Sequence, residues 1–434
     1  MEKKELRELG WRAEKHDLEN LSSKKILSKK PLSKAMRKYL EKKLESSLLN
    51  CGEKIPMHPI ALCIPVSYEY PHFFRTLRSL HLSAMKALSY LGENYQAFSI
   101  VCCINAREND ALEVKENNAK LLHELRRLQK TEFDGSFMNL HILDYSHEGA
   151  YFKKKDGVGL ARKIALDWAL KSGAEVLASL DADCLVSENY LYTLALFYQK
   201  YKNKSEWALC GFSHQEPAEK AHKKAMDAYE TYLHEHSRFL FDIESPYYPV
   251  ALGPTIICTS EAYVRSGGMN KKIAGEDFYF LQSLIKLNLK KRIEDYLFLA
   301  SKVYPSARLS KRVLFGTGTA LEEILGGKKK GFEKKQYIAA KDFFSLFNTM
   351  LLSFYEREEK SIEMLLEFEK KVKNSSSQVY AFLAEDRFWI DWEKIVKTHF
   401  SSKENLRKAF FERFDGLKTI RLFNYLAEVH KGDS

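Results

Sequence analysis

The sequence predicts an α/β protein with a mostly parallel central sheet flanked by helices. Three observations carry that expectation. Short, wholly apolar runs of strand length alternate with helix-periodic segments between residues 60 and 180, the pattern of strands buried on both faces and joined by crossover helices. Glycines stop two of the helical segments, at Gly92 and Gly173, as left-handed caps do. Finally, the run "VLASLDADCLVS" ends its apolar stretch in Asp181-Ala182-Asp183, and ligands of such sheets bind beyond the carboxyl ends of the strands.

Taken in order, "IALCIPV" (60–66) is the first strand and "HFFRTLRSLHLSAMKALSYLG" (72–92) the first crossover helix. "FSIVCCI" (98–104) and "DALEVKENNAKLLHELRRLQK" (110–130) form the second strand and helix. "NLHILDY" (139–145), "GLARKIALDWALKSG" (159–173) and "EVLASL" (175–180) continue the alternation. Two flanking regions have another texture. Residues 1–57 read as a basic helical extension that breaks at "CGEKIPMHP", and residues 326–434 as a charged, aromatic, helix-periodic region with no proline. The alternating part, 58–325, is the expected central domain.

With 434 residues, 45% of them hydrophobic, the chain is long enough for an ordered core. Its net charge of +11 suits an acidic partner, which on charge alone is nucleic acid, an anionic membrane surface or a phosphorylated substrate. Residues 1–50 alone hold 14 Lys/Arg against eight Asp/Glu, a solvated helical face or a peripheral membrane contact. The seven cysteines include no C-x-x-C pair, and five lie in or beside apolar runs, which fits buried thiols in a reducing compartment. No secretory leader and no apolar span of membrane length is apparent. The expected location is therefore cytoplasmic, compatible with attachment to the inner face of a membrane, and no nucleic-acid partner is expected.

Two acidic motifs carry the chemistry. Asp181 and Asp183 are hard oxygen donors on a turn after a strand, suited either to Mg²⁺ or Mn²⁺ shared with substrate phosphates or simply to shaping the turn. Gly275-Glu276-Asp277 opens an apolar helical run after Gly267-Gly268. Carboxylates there either complement the helix dipole or serve as a general base beside a bound hydroxyl. "SARLSKRVLFGTGTAL" (306–321) places Arg308 and Arg312 before a glycine turn. They suit either a basic loop closing over a diphosphate or a surface loop before a helix capped at Thr317 or Thr319. "GTGTAL" lacks the dinucleotide fingerprint and "GGKKKG" lacks the P-loop G-K-[ST]. His214, His234 and His236 are assigned to no metal, and Tyr247 and Tyr248 are candidates to stack on a sugar ring.

The ordered set "CIPV" with Glu69, "GLARKIALDWAL", "LDAD", "GGM" and "GEDFYF" resembles the family 2 glycosyltransferases over roughly residues 58 to 320. These enzymes have the Rossmann-like GT-A fold of nucleotide-diphospho-sugar transferases. The resemblance implies a nucleoside-diphosphate sugar as donor, with Mn²⁺ or Mg²⁺ on Asp183 and with Asp181 toward the metal or the ribose. It further implies transfer to a hydroxyl of a glycan, lipid-linked or small-molecule acceptor, inverting with Asp277 as base and Glu276 as the second candidate. Pro65, Val66, Glu69, Asn105, Arg162, Arg308 and Arg312 are the implied nucleotide-side residues. Three departures stand out: "PVSYEYP" replaces P-x-Y-N-E, Lys163 replaces the asparagine of A-R-N, and "CCINAREND" replaces the acidic base-reading segment. Arg162 is either donor-facing or part of a surface ion pair. Other readings are a retaining transferase of the same fold, a nucleotidyltransferase, which the first loop disfavours, and a non-catalytic adaptor for membrane or protein partners.

Overall fold

The computed structural model describes residues 33–48, 55–92, 95–133, 137–289, 291–309, 316–327, 334–356, 361–399 and 402–432. They fall into two compact units. The first takes the described residues up to Met226 with Ala251–Leu287 and Leu297–Leu325; the second takes Asp227–Val250, Asn288–Tyr296 and the described residues from Gly326 onward.

The first unit is built on an eight-stranded sheet of order β3-β2-β1-β4-β7-β6-β8-β5. Its strands are β1 Ile60–Val66, β2 Phe98–Asn105, β3 Met138–Tyr145, β4 Val176–Ser179, β5 Leu185–Val186, β6 Trp207–Phe212, β7 Ile256–Thr259 and β8 Leu297–Tyr304. β3, β2, β1 and β4 are parallel neighbours; β7 runs antiparallel to both β4 and β6, and β8 pairs parallel with β6. All of β1 and β2 is buried, which is why these strands read as unbroken apolar runs rather than alternating ones. The chain leaves β1 toward β2 and β3, then returns to the other side of β1 as β4. A topological switch point therefore lies between the carboxyl ends of β1 and β4, where open α/β sheets bind ligands.

Helices α1 (Lys34–Lys42), α2 (Phe73–Leu91), α3 (Leu112–Thr131), α4 (Val158–Ser172) and α5 (Tyr190–Tyr201) precede β6. Ile60, Leu62, Ile64 and Val66 of β1 join the apolar faces of α2 and α5 in one core, and α4 packs against β1 as well. Gly92 and Gly173 follow the helices they were expected to stop, at φ 93° and 104°. Helices α6 (Lys220–Asp242), α7 (Ser260–Ser266), α8 (Glu276–Leu287) and α9 (Thr317–Leu325) follow in chain order.

α4 is buried along nearly its whole length, so its charged residues must be paired. Asp167, fully buried, accepts hydrogen bonds from Lys163 Nζ (2.6 Å), Tyr39 Oη (2.8 Å), Tyr263 Oη (2.7 Å) and the Glu45 backbone N–H (3.1 Å). Lys163 also donates to Tyr39 Oη at 3.0 Å. The basic N-terminal extension thereby contributes a docked helix, α1, whose Tyr39 lies edge-on to Tyr263. Gly268, at φ 76°, is required here, because a Cβ would come within 2.0 Å of Tyr39 Oη. Lys163, the departure from A-R-N, thus serves the interior rather than the nucleotide.

The second unit includes α10 (Lys334–Glu356), α11 (Ser361–Ser375), α12 (Ser377–Glu385), α13 (Phe388–His399), α14 (Lys403–Arg413) and α15 (Gly416–Gly432). Its helices meet on buried aromatics: Phe347 stacks on Phe410 with centroids 3.5 Å apart, and Phe343, Phe368, Phe388, Trp392 and Phe414 surround them. The aromatic texture of the C-terminal sequence is therefore a core. Tyr247 belongs to it, which corrects the expectation that it stacks on a sugar. Tyr247 is buried and donates to Phe411 O at 2.6 Å, while Tyr248 stacks on Tyr296 and donates to Ile293 O at 3.1 Å.

Replacing Asp167 with alanine strands the buried Lys163 ammonium and two tyrosine hydroxyls. The expected cost is about 3–5 kcal/mol, read as a lowered urea midpoint, with Tyr39→Phe costing about 1 kcal/mol.

Candidate active site

The turn after β4 is held by its backbone from three directions. Cys184 N donates to Asp181 O at 3.2 Å, closing the turn. Thr76 Oγ1 of α2 donates to Ala182 O at 2.8 Å, and Gln215 Nε2 bridges Asp183 O (2.7 Å) and Tyr304 O (2.9 Å). Ala182 lies in the core under the turn, so a small side chain is needed between the two aspartates. Their carboxylates are thus placed by the rigid scaffold, and they diverge.

Asp181 faces Arg162. This guanidinium is 3% exposed, which rules out the surface ion pair. Its fork donates from Nη2 to Asp181 Oδ1 at 2.8 Å, from Nε to Glu276 Oε1 at 3.3 Å, and from Nη1 to Ser179 Oγ. Room for the fork comes from Gly253, where a Cβ would approach Nη2 to 2.8 Å. The Gly253 N–H in turn donates to Asp277 Oδ2 at 2.9 Å, while Phe278 N donates to Asp277 Oδ1 at 2.8 Å. At the start of α4, Gly159 allows the loop before α8 to lie against the helix, since a Cβ there would sit 2.2 Å from Lys272 O. The two acidic motifs, remote in sequence, are therefore joined through one arginine.

Three carboxylates, Asp181, Glu276 and Asp277, act electrostatically on that guanidinium. Burial raises the Glu276 carboxyl to about 7, against the pull of Arg162 and with the push of Asp277. Burial also raises Asp277, which Arg162 and the backbone donors of Phe278 and Gly253 oppose. Glu276 is 4% exposed, whereas Asp277 is only half-buried.

Asp183 faces the other way. Its Oδ2 lies 2.7 Å from Arg308 Nη2, and the same nitrogen lies 2.8 Å from both carboxylate oxygens of buried Glu69. Beside them opens a cleft of about 750 Å³ whose lining includes His72, Arg75, Asp183, His214, Gln215, Tyr304 and Arg308. His214 Nε2 is 3.3 Å from Thr317 Oγ1, the first residue of α9. Among the described residues, no three His, Cys, Asp or Glu side chains form a ready-made metal cage.

The β1 and β2 ends are tied together rather than left open. Pro65 and Val66 are buried in the strand end. Asn105 Nδ2 donates to Val66 O (3.0 Å) and Cys103 O (3.3 Å), and Asn118 joins Asn105 O (2.9 Å) to the Tyr68 N–H (2.9 Å). Asn105 thus commits its amide nitrogen to the fold. Arg312 lies outside the described residues. His236 is in the second unit beside Tyr232 and Phe423, where burial lowers its pKa to about 4.

Ser179, Gly253 and Gln215 were not singled out from sequence as site residues. Each acts through contacts that only the assembled sheet creates.

No protein-family model matches this chain, and no curated protein does. Among solved structures, the chain is similar to S. aureus TarS 1–349 in complex with UDP-GlcNAc, at 13% identity and TM-score 0.35, covering 82% of this chain and 91% of that one. It is also similar to the same TarS segment with UDP (12%, TM-score 0.34, 82% and 92% covered). GalNAc-T7 with UDP, GalNAc and Mn²⁺ is a further likeness (15%, TM-score 0.34, 69% and 51% covered). At such scores these likenesses carry no weight, and function rests on the site itself.

Because Glu276 holds its proton to about pH 7 in the folded chain and only to its ordinary 4.5 when unfolded, its contribution to stability is full below 4.5. That contribution is lost as pH rises toward and through 7. Glu276→Gln should flatten the fall in stability between pH 4.5 and 7, by up to about 3 kcal/mol, in denaturant melts across that range.

Proposed function

We propose that the chain is a nucleotide-sugar-dependent glycosyltransferase of the family 2 kind, passing a sugar from a nucleoside diphosphate to an acceptor hydroxyl with inversion. The observation that supports this most is the joining of Asp181-Ala182-Asp183 to Glu276-Asp277 by Arg162 at the carboxyl edge of the sheet. A donor-side acidic turn and a base-side acidic helix start are what a one-step displacement between diphosphate and acceptor requires.

The residues fit a divalent cation that draws most ligands from the donor. Asp183 presents a partly exposed carboxylate beside the cleft, and its Oδ2 and the two Glu69 oxygens already surround a cationic nitrogen. Asp183 would hold Mn²⁺ or Mg²⁺, and the ion would neutralise the charge that grows on the departing diphosphate. Asp181 is held by Arg162 and serves the ribose side.

Asp277 is the base. Glu276 is buried against Arg162, whereas Asp277 uses one acceptor site on each oxygen for a backbone N–H and keeps lone pairs for a substrate hydroxyl. The acceptor oxygen attacks the anomeric carbon from the face opposite the diphosphate, its proton passes to Asp277, and the bond to the diphosphate oxygen breaks. Arg162 keeps the acidic motifs in register, and Arg308 offers the diphosphate a guanidinium. The acceptor is a glycan, a lipid-linked saccharide or a small molecule. The basic N-terminus adds an electrostatic hold on an anionic membrane.

Asp277→Asn should lower kcat by about 10²–10⁴-fold with donor affinity unchanged, while Glu276→Gln keeps most of its turnover at pH 7. Steady-state transfer assays with donor titrations check this. Near-normal turnover by Asp277→Asn would remove it as the base.

A further inference from the structure

The carboxylates of the D-x-D turn do not face a common point. Asp181 is taken by Arg162, and the point on which acidic oxygens converge lies instead between Asp183 and Glu69. Arg308 Nη2 stands there, 2.7 Å from Asp183 Oδ2 and 2.8 Å from each Glu69 oxygen. A divalent cation at Asp183 needs that same Oδ2 or its immediate neighbour, at metal–oxygen distances of about 2.0–2.6 Å. At Oδ2 a guanidinium and such an ion compete for one place, because their charges repel and one carboxylate oxygen cannot be nearest neighbour to both.

We propose that Arg308 and the divalent cation are alternative occupants of Asp183, and that nucleoside diphosphate binding moves Arg308 off the carboxylates so that the metal can enter. This rests on the reading of the site as a metal-nucleotide site. Arg308 is partly exposed, at 35% of its side chain, and sits on the loop after β8, so its head group has room to turn. A diphosphate gives it a bidentate anionic partner in exchange for the two carboxylates. Metal and nucleotide are then coupled beyond direct chelation, since each binds better once the other has resolved the competition. Without nucleotide the arginine offsets one of the two carboxylate charges and the metal is weakly held.

The test is direct Mn²⁺ binding by the full chain, followed by electron paramagnetic resonance or calorimetry, without nucleotide and with UDP, GDP, ADP or CDP. Wild type should bind Mn²⁺ alone weakly and at least tenfold more tightly with a matching nucleoside diphosphate. Arg308→Met should bind Mn²⁺ alone at least fivefold more tightly than wild type and show a smaller enhancement by nucleotide. Arg308→Lys, which keeps the charge, should stay close to wild type, and Asp183→Asn should lose Mn²⁺ in either background. If Arg308→Met binds Mn²⁺ alone no better than wild type, while nucleotide still enhances both equally, the exchange is wrong and the metal-nucleotide reading stands. If no form binds Mn²⁺ with any of the four nucleotides, both fall.

Discussion

The buried Arg162 guanidinium is the constraint on which the rest of the site depends. A fork with three occupied donors and 3% exposure is stable only when anionic partners surround it. Those partners come from the end of β4 and the start of α8. Arg162 therefore sets the spacing between the acidic turn after β4 and the acidic start of α8, and it supplies the positive charge that restrains how far burial raises Glu276 and Asp277. Gly253 belongs to the same device: it gives the arginine room and gives Asp277 a backbone donor.

The helix that carries Arg162 has a second commitment one residue later. Lys163 turns to Tyr39 and to Asp167, which also accepts from Tyr263, so α4 holds the acidic motifs with one charged residue and docks the N-terminal helix with the next. Both sets are buried, and both need fixed partners to offset desolvation. A disturbance of the N-terminal helix should therefore be felt by α4, and through α4 by the geometry at Asp181 and Glu276.

Much of the fold was legible in the chain, and so were several residues of the candidate site. Strands buried on both faces leave unbroken apolar runs, and glycine stops leave a local mark, so β1 to β4 and their crossover helices could be read with little error. Asp181, Asp183, Glu276 and Asp277 stood out because their acidity breaks an apolar context. Arg162 was marked only by the family resemblance and its role stayed open, since a surface arginine and a buried one look alike in a helix; only the sheet that covers it decides. Arg308 meeting Glu69, 239 residues away, has no local signature at all. Tyr247 misled for a related reason: an aromatic pair before a strand says nothing about whether a ring or a carbohydrate lies opposite. Lys163 stood out only as a departure from A-R-N and is a packing residue.

The measurement that bears most directly on the account is thermal unfolding of wild type and Asp183→Asn with UDP, GDP, ADP and CDP, each with and without Mn²⁺. At least one nucleoside diphosphate should raise the wild-type Tm in a metal-dependent way, by an amount that grows with ligand concentration. Asp183→Asn should show no such rise. Equal stabilisation of the two proteins, or none of either at millimolar ligand, would contradict a donor site built on the turn after β4.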